Sequence, residues 1–151
     1  MKFNFDRLDK RISEFMNRWG VSALRYSLAI IFVWFGILKV MGISPAEKLV
    51  LETVYWLPVF SPESWLTIIG WWEVLIGITF LFNYTTRTAI ALLALQMAGT
   101  LMPLFILTNI TFQAGRFPYA PTIEGQYIIK NLLIISAALV IGGTLRRKGN
   151  K

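Results

Sequence analysis

With 151 residues, 56% of them hydrophobic and only 15% charged, the chain falls well short of the roughly 25% charge of soluble domains, which marks it as a membrane protein. It contains no Cys and no His, so thiol-disulfide exchange, thiolate metal sites and His-ligated haem are excluded within it. The net charge of +7 is spread over basic residues that flank apolar segments, which points to anionic lipid headgroups and away from nucleic acid.

Residues 1–20 carry Phe5, Leu8, Ile12, Phe15 and Trp19 at spacings of three and four, with Lys2, Arg7, Lys10, Arg11 and Arg18 between them. This pattern predicts an amphipathic helix lying on the membrane surface. As a targeting signal it is too long and too mixed in charge, so no cleavage is expected. The first span is expected over about 22–42, with Arg25 able to snorkel at its inner end and Lys39 close to its outer end. Ser44-Pro45-Ala46-Glu47 reads as a capping box with proline at the first helical position, which predicts a short interfacial helix before Pro58. Ser61-Pro62-Glu63 repeats the signal, and the second span follows over about 65–82. It contains Gly70-Trp71-Trp72-Glu73-Val74-Leu75-Ile76-Gly77, a single carboxylate in an apolar segment.

A turn at Asn83-Tyr84-Thr85-Thr86 leads through Arg87 into a third span over about 88–108 that holds no charge. Gln96 is expected to bond to a neighbouring helix more readily than to a ligand, and Pro103 to kink the span. Phe112, Phe117, Pro118, Tyr119 and Pro121 predict a connection folded onto the protein surface. The uncharged stretch 131–145 gives only about 22 Å of helix, so the fourth span must extend back to about 126 and take Lys130 into the membrane region. Lys and Arg concentrate in the N-terminal arm, at Arg87 and in Arg146-Arg147-Lys148, whereas the longer loops hold Lys48 and Arg116. Both termini are therefore expected in the cytoplasm. The expected fold is a single all-α domain, an integral membrane four-helix bundle.

Glu73 organises the rest. A carboxylate in hydrocarbon costs roughly 3 kcal/mol or more unless it is paired or protonated. Glu73 lies about 12 Å below Trp65, and Lys39 about 5 Å below the outer end of its own span. Side chains lean toward the N-terminus of their helix, so on antiparallel spans these two converge, while Lys130 leans away. Lys39 is thus the expected partner, with Lys130 and Asn131 beside the pair or nearer the surface. A register-fixing ion pair and a ligand or proton site both stay open. A lysine left unneutralised would attract an acidic headgroup, a quinone oxygen or an anionic substrate. Trp71 and Trp72 point about 100° apart, and although packing is the expected role, Trp72 or Trp71 would suit a wall for a planar ligand. Gly70 and Gly77 share the face of Glu73 and allow a close helix approach.

Arg25, Phe32, Gly36 and Lys39, then Gly70-x-x-Glu73-x-x-x-Gly77, then a basic residue opening the third span, together resemble the DoxX-like membrane proteins. The Lys39 to Glu47 segment and Gly125-Gln126-Tyr127-Ile128-Ile129-Lys130-Asn131 are similar to the YkgB type, the reactive chlorine resistance membrane proteins. The resemblance covers nearly all of residues 22–145. It implies a bacterial inner-membrane protein associated with oxidative or sulfur metabolism, a group that includes a thiosulfate:quinone oxidoreductase subunit. It also marks Lys39, Glu73 and Lys130 as family-like polar positions; where the family commonly has Asp after the last lysine, Asn131 weakens a second carboxylate role. The expected function is an accessory or small-molecule- or lipid-binding component of oxidant or electrophile stress defence. The alternatives are a quinone-binding membrane subunit of a redox complex and a small oligomeric transporter or scaffold, whose path would need several copies. No complete catalytic or redox-cofactor site is present in the sequence. The candidate ligands are a quinone or a lipid, and the candidate partners are membrane lipids, a redox or stress-response protein and further copies of the chain.

Overall fold

The computed structural model describes residues 5–145, and its longest element is α1, a single helix of 36 residues from Phe5 to Val40. The expected surface helix and first span are therefore fused. Gly20 alone weakens the junction, by roughly 1 kcal/mol, and nothing lies within 4 Å of a Cβ placed there, so no tertiary contact forces a bend. The stripe of Phe5, Leu8, Ile12, Phe15 and Trp19 is exposed along the first half. Lys2 and the Arg146-Arg147-Lys148 tail lie outside the described residues.

The capping box expected at Ser44 takes another form. The Ser44 hydroxyl accepts the Ala46 N–H at 3.3 Å, closing a turn, and α2 (Glu47–Val54) starts after it with no side-chain cap. The second signal behaves as expected: Ser61 caps α3 (Pro62–Leu81) by accepting the Ser64 N–H, with proline in the first turn. α4 (Thr86–Leu101) ends where Pro103 removes a backbone donor. The Gly99 carbonyl, which would bond to residue 103 in an unbroken helix, accepts the Met102 N–H at 3.2 Å instead. The helical hydrogen-bond ladder is thus interrupted at Met102, whose backbone stays helical, and α5 (Pro103–Ile106) continues the span before the short helix α6 (Thr108–Thr111).

The connection that follows is pinned at both ends. Phe112 bridges to Pro121, the Phe112 and Phe117 rings meet edge to face at 4.9 Å, and the Thr122 hydroxyl donates to the Ile110 carbonyl at 2.6 Å. Thr122 also caps α7 (Ile123–Ile129) by accepting the Gly125 N–H. Gly125 packs so closely on the Thr111 backbone that a Cβ would collide with the Thr111 carbonyl. α8 (Asn131–Leu145) follows Lys130, and α7 and α8 act as one apolar crossing. Four helical segments are long and apolar enough to span a bilayer: Phe5–Val40, Pro62–Leu81, Thr86–Ile106 and Ile123–Leu145.

α1 and α3 form the most intimate contact in the molecule. Ala29 and Gly36 on α1, and Gly70 and Gly77 on α3, are each two turns apart and meet in antiparallel order. A Cβ on Gly36 would lie 2.6 Å from the Gly70 carbonyl oxygen, and one on Gly77 2.7 Å from the Ala29 carbonyl oxygen. Small residues bring the two backbones together here, the contact that replaces hydrophobic packing between helices in lipid. α4 and α8 close the other side of the core through Phe32, Ile76, Phe80, Leu93, Ala138 and Ile141.

Candidate functional site

The glycine seam fixes where the charged side chains fall. A Cβ on Gly70 would sit 3.0 Å from the Cβ of Lys39, so the lysine stem crosses α3 over a bare glycine, one turn before Glu73. It leans toward the N-terminus of α1 while Glu73 leans toward the N-terminus of α3, and the two meet. Lys39 Nζ lies 2.5 Å from Glu73 Oε2, and each residue is 8% exposed. The other carboxylate oxygen, Oε1, accepts the side-chain amide of Gln96 at 3.1 Å. One carboxylate therefore joins α1, α3 and α4.

Trp72 supports this cluster from the side. Its indole N–H donates to the Leu92 carbonyl on α4 at 3.4 Å, one turn before Gln96, and its ring packs against the core. Trp71 points away and is 58% exposed, so the two tryptophans separate as their 100° offset requires. The sequence pointed to a hydrogen bond from Gln96 to a neighbouring helix without naming the partner or the direction. A lone amide in a chargeless span opposite a lone carboxylate was the available signal.

Lys130 and Asn131 are not drawn into the cluster. Lys130 is exposed, donates to Gln126 Oε1 at 3.3 Å within its own helical segment, and stands over the Tyr127 ring at 5.7 Å. Asn131 is half-buried at the start of α8. Among the described residues, the cation paired with Glu73 is Lys39. A shallow, open groove of about 520 Å³ on the α2 side is lined by Ser44, Pro45, Glu47, Lys48, Leu51 and Glu52, none of them a member of the cluster.

Chemically, the cluster offers a carboxylate with both oxygens engaged, an ammonium with donors beyond the one spent on Glu73, and the carbonyl of Gln96. These groups donate and accept hydrogen bonds, and none of them carries electrons. A sequence model of the DoxX family matches residues 20–109. The chain belongs to the DoxX family. The matched region holds Arg25, Gly36, Lys39, Gly70, Glu73, Gly77 and Gln96, so the glycine seam and all three members of the cluster lie within the DoxX region, while Lys130 and Asn131 lie beyond it. The curated proteins gave no match, and neither did the solved structures. Family and apolar helices together make this DoxX protein a multi-pass membrane protein.

Proposed function

We propose that this DoxX-family protein is a small-molecule- or lipid-binding component of oxidant or electrophile stress defence, of the reactive chlorine resistance type, with Lys39, Glu73 and Gln96 as its binding cluster. It works in the bacterial inner membrane with both termini cytoplasmic, as the concentration of Lys and Arg near the ends supports. One observation carries the functional reading over a purely structural one. The α1–α3 register is already set by backbone contact at Gly36, Gly70 and Gly77, so a buried ion pair beside it adds little positional information. Such a pair also has a desolvation cost that its attraction does little more than offset. A costly pair that the fold does not need for register fits a site that exchanges a partner or a proton with a ligand.

The test is Glu73→Gln, which keeps the shape of the side chain and an oxygen to accept from Lys39. Cells expressing the variant should lose protection against hypochlorite while membrane levels of the protein stay the same. Full protection by a normally expressed variant overturns the reading.

A second reading is a quinone-binding subunit of a redox complex. It is supported by the donors that Lys39 retains after pairing with Glu73, which suit a quinone oxygen, and by the indole of Trp72 next to the carboxylate. The electron donor must then be another chain. Titrating the purified protein with a short-chain ubiquinone should quench tryptophan fluorescence saturably, and Lys39→Met should abolish the saturable part. A linear, variant-independent response excludes this reading.

A further inference from the structure

α1 presents two different faces. Its buried residues Leu28, Ala29, Phe32, Gly36 and Lys39 turn toward the rest of the bundle. Of its exposed side chains, Leu8, Trp19 and Ile30 recur at an interval of 11, and so do Phe15, Tyr26 and Ile37. Such a repeat closes about three helical turns, so these residues form one stripe along a nearly straight helix. The stripe lies roughly 130° around the helix from the core face. The apolar side of the first half of α1 therefore continues the outward side of the second half, with no change of phase at Gly20.

Length decides what surrounds the stripe. The 36 residues of α1 extend about 54 Å, against about 30 Å of hydrocarbon. Ala29 meets Gly77 and α3 ends one turn later, at Leu81, so α1 runs on for about five turns past the end of its partner. Every residue from Phe5 to Trp19 is exposed, and no described part of the chain covers them. Laying the stripe on a bilayer surface would take a sharp bend, whereas α1 is helical through Gly20. The straight extension holds Phe5, Leu8, Ile12, Phe15 and Trp19, each 44–76% exposed, outside the hydrocarbon. Together they present several hundred Å² of apolar surface, a patch that monomers rarely leave open to water.

The charges beside the stripe indicate its cover. Asp9 lies about 80° from the middle of the stripe on one side, with Asp6 beyond it; Arg11 lies about 80° away on the other, with Arg18 and Arg7 beyond it. The two flanks have opposite signs. Copies of one membrane chain share an orientation, so their α1 helices are parallel and the axis relating them runs along the membrane normal. A two-fold axis of that kind sets each flank against the opposite flank of the other helix, aspartate against arginine, with Asp9 and Arg11 about 3 Å apart in height. An antiparallel pairing would set arginine against arginine. Apolar faces gain little by meeting in lipid, so the extension in water drives the association, and its apolar area is of the order of the roughly 800 Å² that each partner buries in a stable interface. We propose that α1 pairs with α1 of a second copy of this chain, in parallel and about a two-fold axis, through the stripe from Phe5 to Trp19.

The chain has no Cys, so single-cysteine variants of the full protein test the pairing directly in native membranes. After oxidation, Leu8→Cys, Ile12→Cys and Phe15→Cys should each run as a disulfide-linked dimer on a non-reducing gel, and Lys10→Cys and Glu14→Cys should stay monomeric. Should one stripe variant fail to reach the membrane, the other two carry the test. Adding Arg11→Asp to Ile12→Cys should lower the dimer fraction, and adding Asp9→Arg to both should restore it. Cross-linking at only one height of the stripe means an antiparallel crossing and overturns the proposal. So does equal cross-linking on the stripe and on the polar face, which is random collision. Stripe cysteines that stay monomeric also overturn it: those that resist a water-soluble maleimide lie in the bilayer or under another protein, and those that react with it face water.

Discussion

Where α1 crosses α3, a Cβ added to Gly36 would lie 2.6 Å from one backbone atom and 2.8 Å from another; on α8, a Cβ added to Gly143 would meet nothing within 4 Å, and one on Gly142 only the tip of Ile90 at 3.3 Å. The same residue type thus has opposite meanings in the two regions. On the seam, glycine is where two main chains touch, and there is no side chain that can rotate out of the way. On α8, of which Ala138 and Ile141 are the buried residues, the outer surface is left to lipid. The difference shows how a thin bundle holds a buried charge in place: Lys39 and Glu73 hang from the part of the molecule with least freedom.

The largest expected effect comes from breaking the seam. Gly36→Leu inserts a branched side chain into backbone and should cost more than about 4 kcal/mol, enough to remove folded protein from the membrane fraction. Gly143→Leu should stay within about 0.5 kcal/mol of the parent in a denaturant titration. Next is Lys39→Met, which leaves Glu73 buried without its cation and should destabilise by about 3–5 kcal/mol. The double change Lys39→Met with Glu73→Leu should recover most of that loss, since the glycines still hold the register. A double variant as unstable as the single one would mean that the ion pair, not the seam, sets the register. Gln96→Leu removes one hydrogen bond to a charged group and should cost about 1.5–3 kcal/mol. The smallest effect belongs to the lipid-facing side, where Leu133→Ala, at a residue 73% exposed, should shift stability by no more than about 0.5 kcal/mol.

Much of this arrangement was legible in the sequence because membrane crossing is a matter of length and apolarity, which residues 65–82 and 88–108 display directly. The approach of Lys39 to Glu73 followed from the tilt of side chains on antiparallel helices. The continuity of α1 did not, because the change from an amphipathic to an apolar pattern near Trp19 records a change of surroundings and not a break in the backbone. Lys130 was read as leaning away from the pair, and it stands apart, bonded to Gln126; its surroundings depend on how α7 packs against α4, α6 and α8, and no local pattern encodes that.

The unequal contacts that meet at Glu73 have a mechanical consequence. α1 and α3 touch through main-chain atoms and have no side-chain rearrangement available to absorb a sliding motion, whereas α4 reaches the carboxylate through the Gln96 side chain and is interrupted at Met102, about a turn and a half further on. The carboxylate is thus held on main-chain contact between two helices and by a rotatable amide on the third.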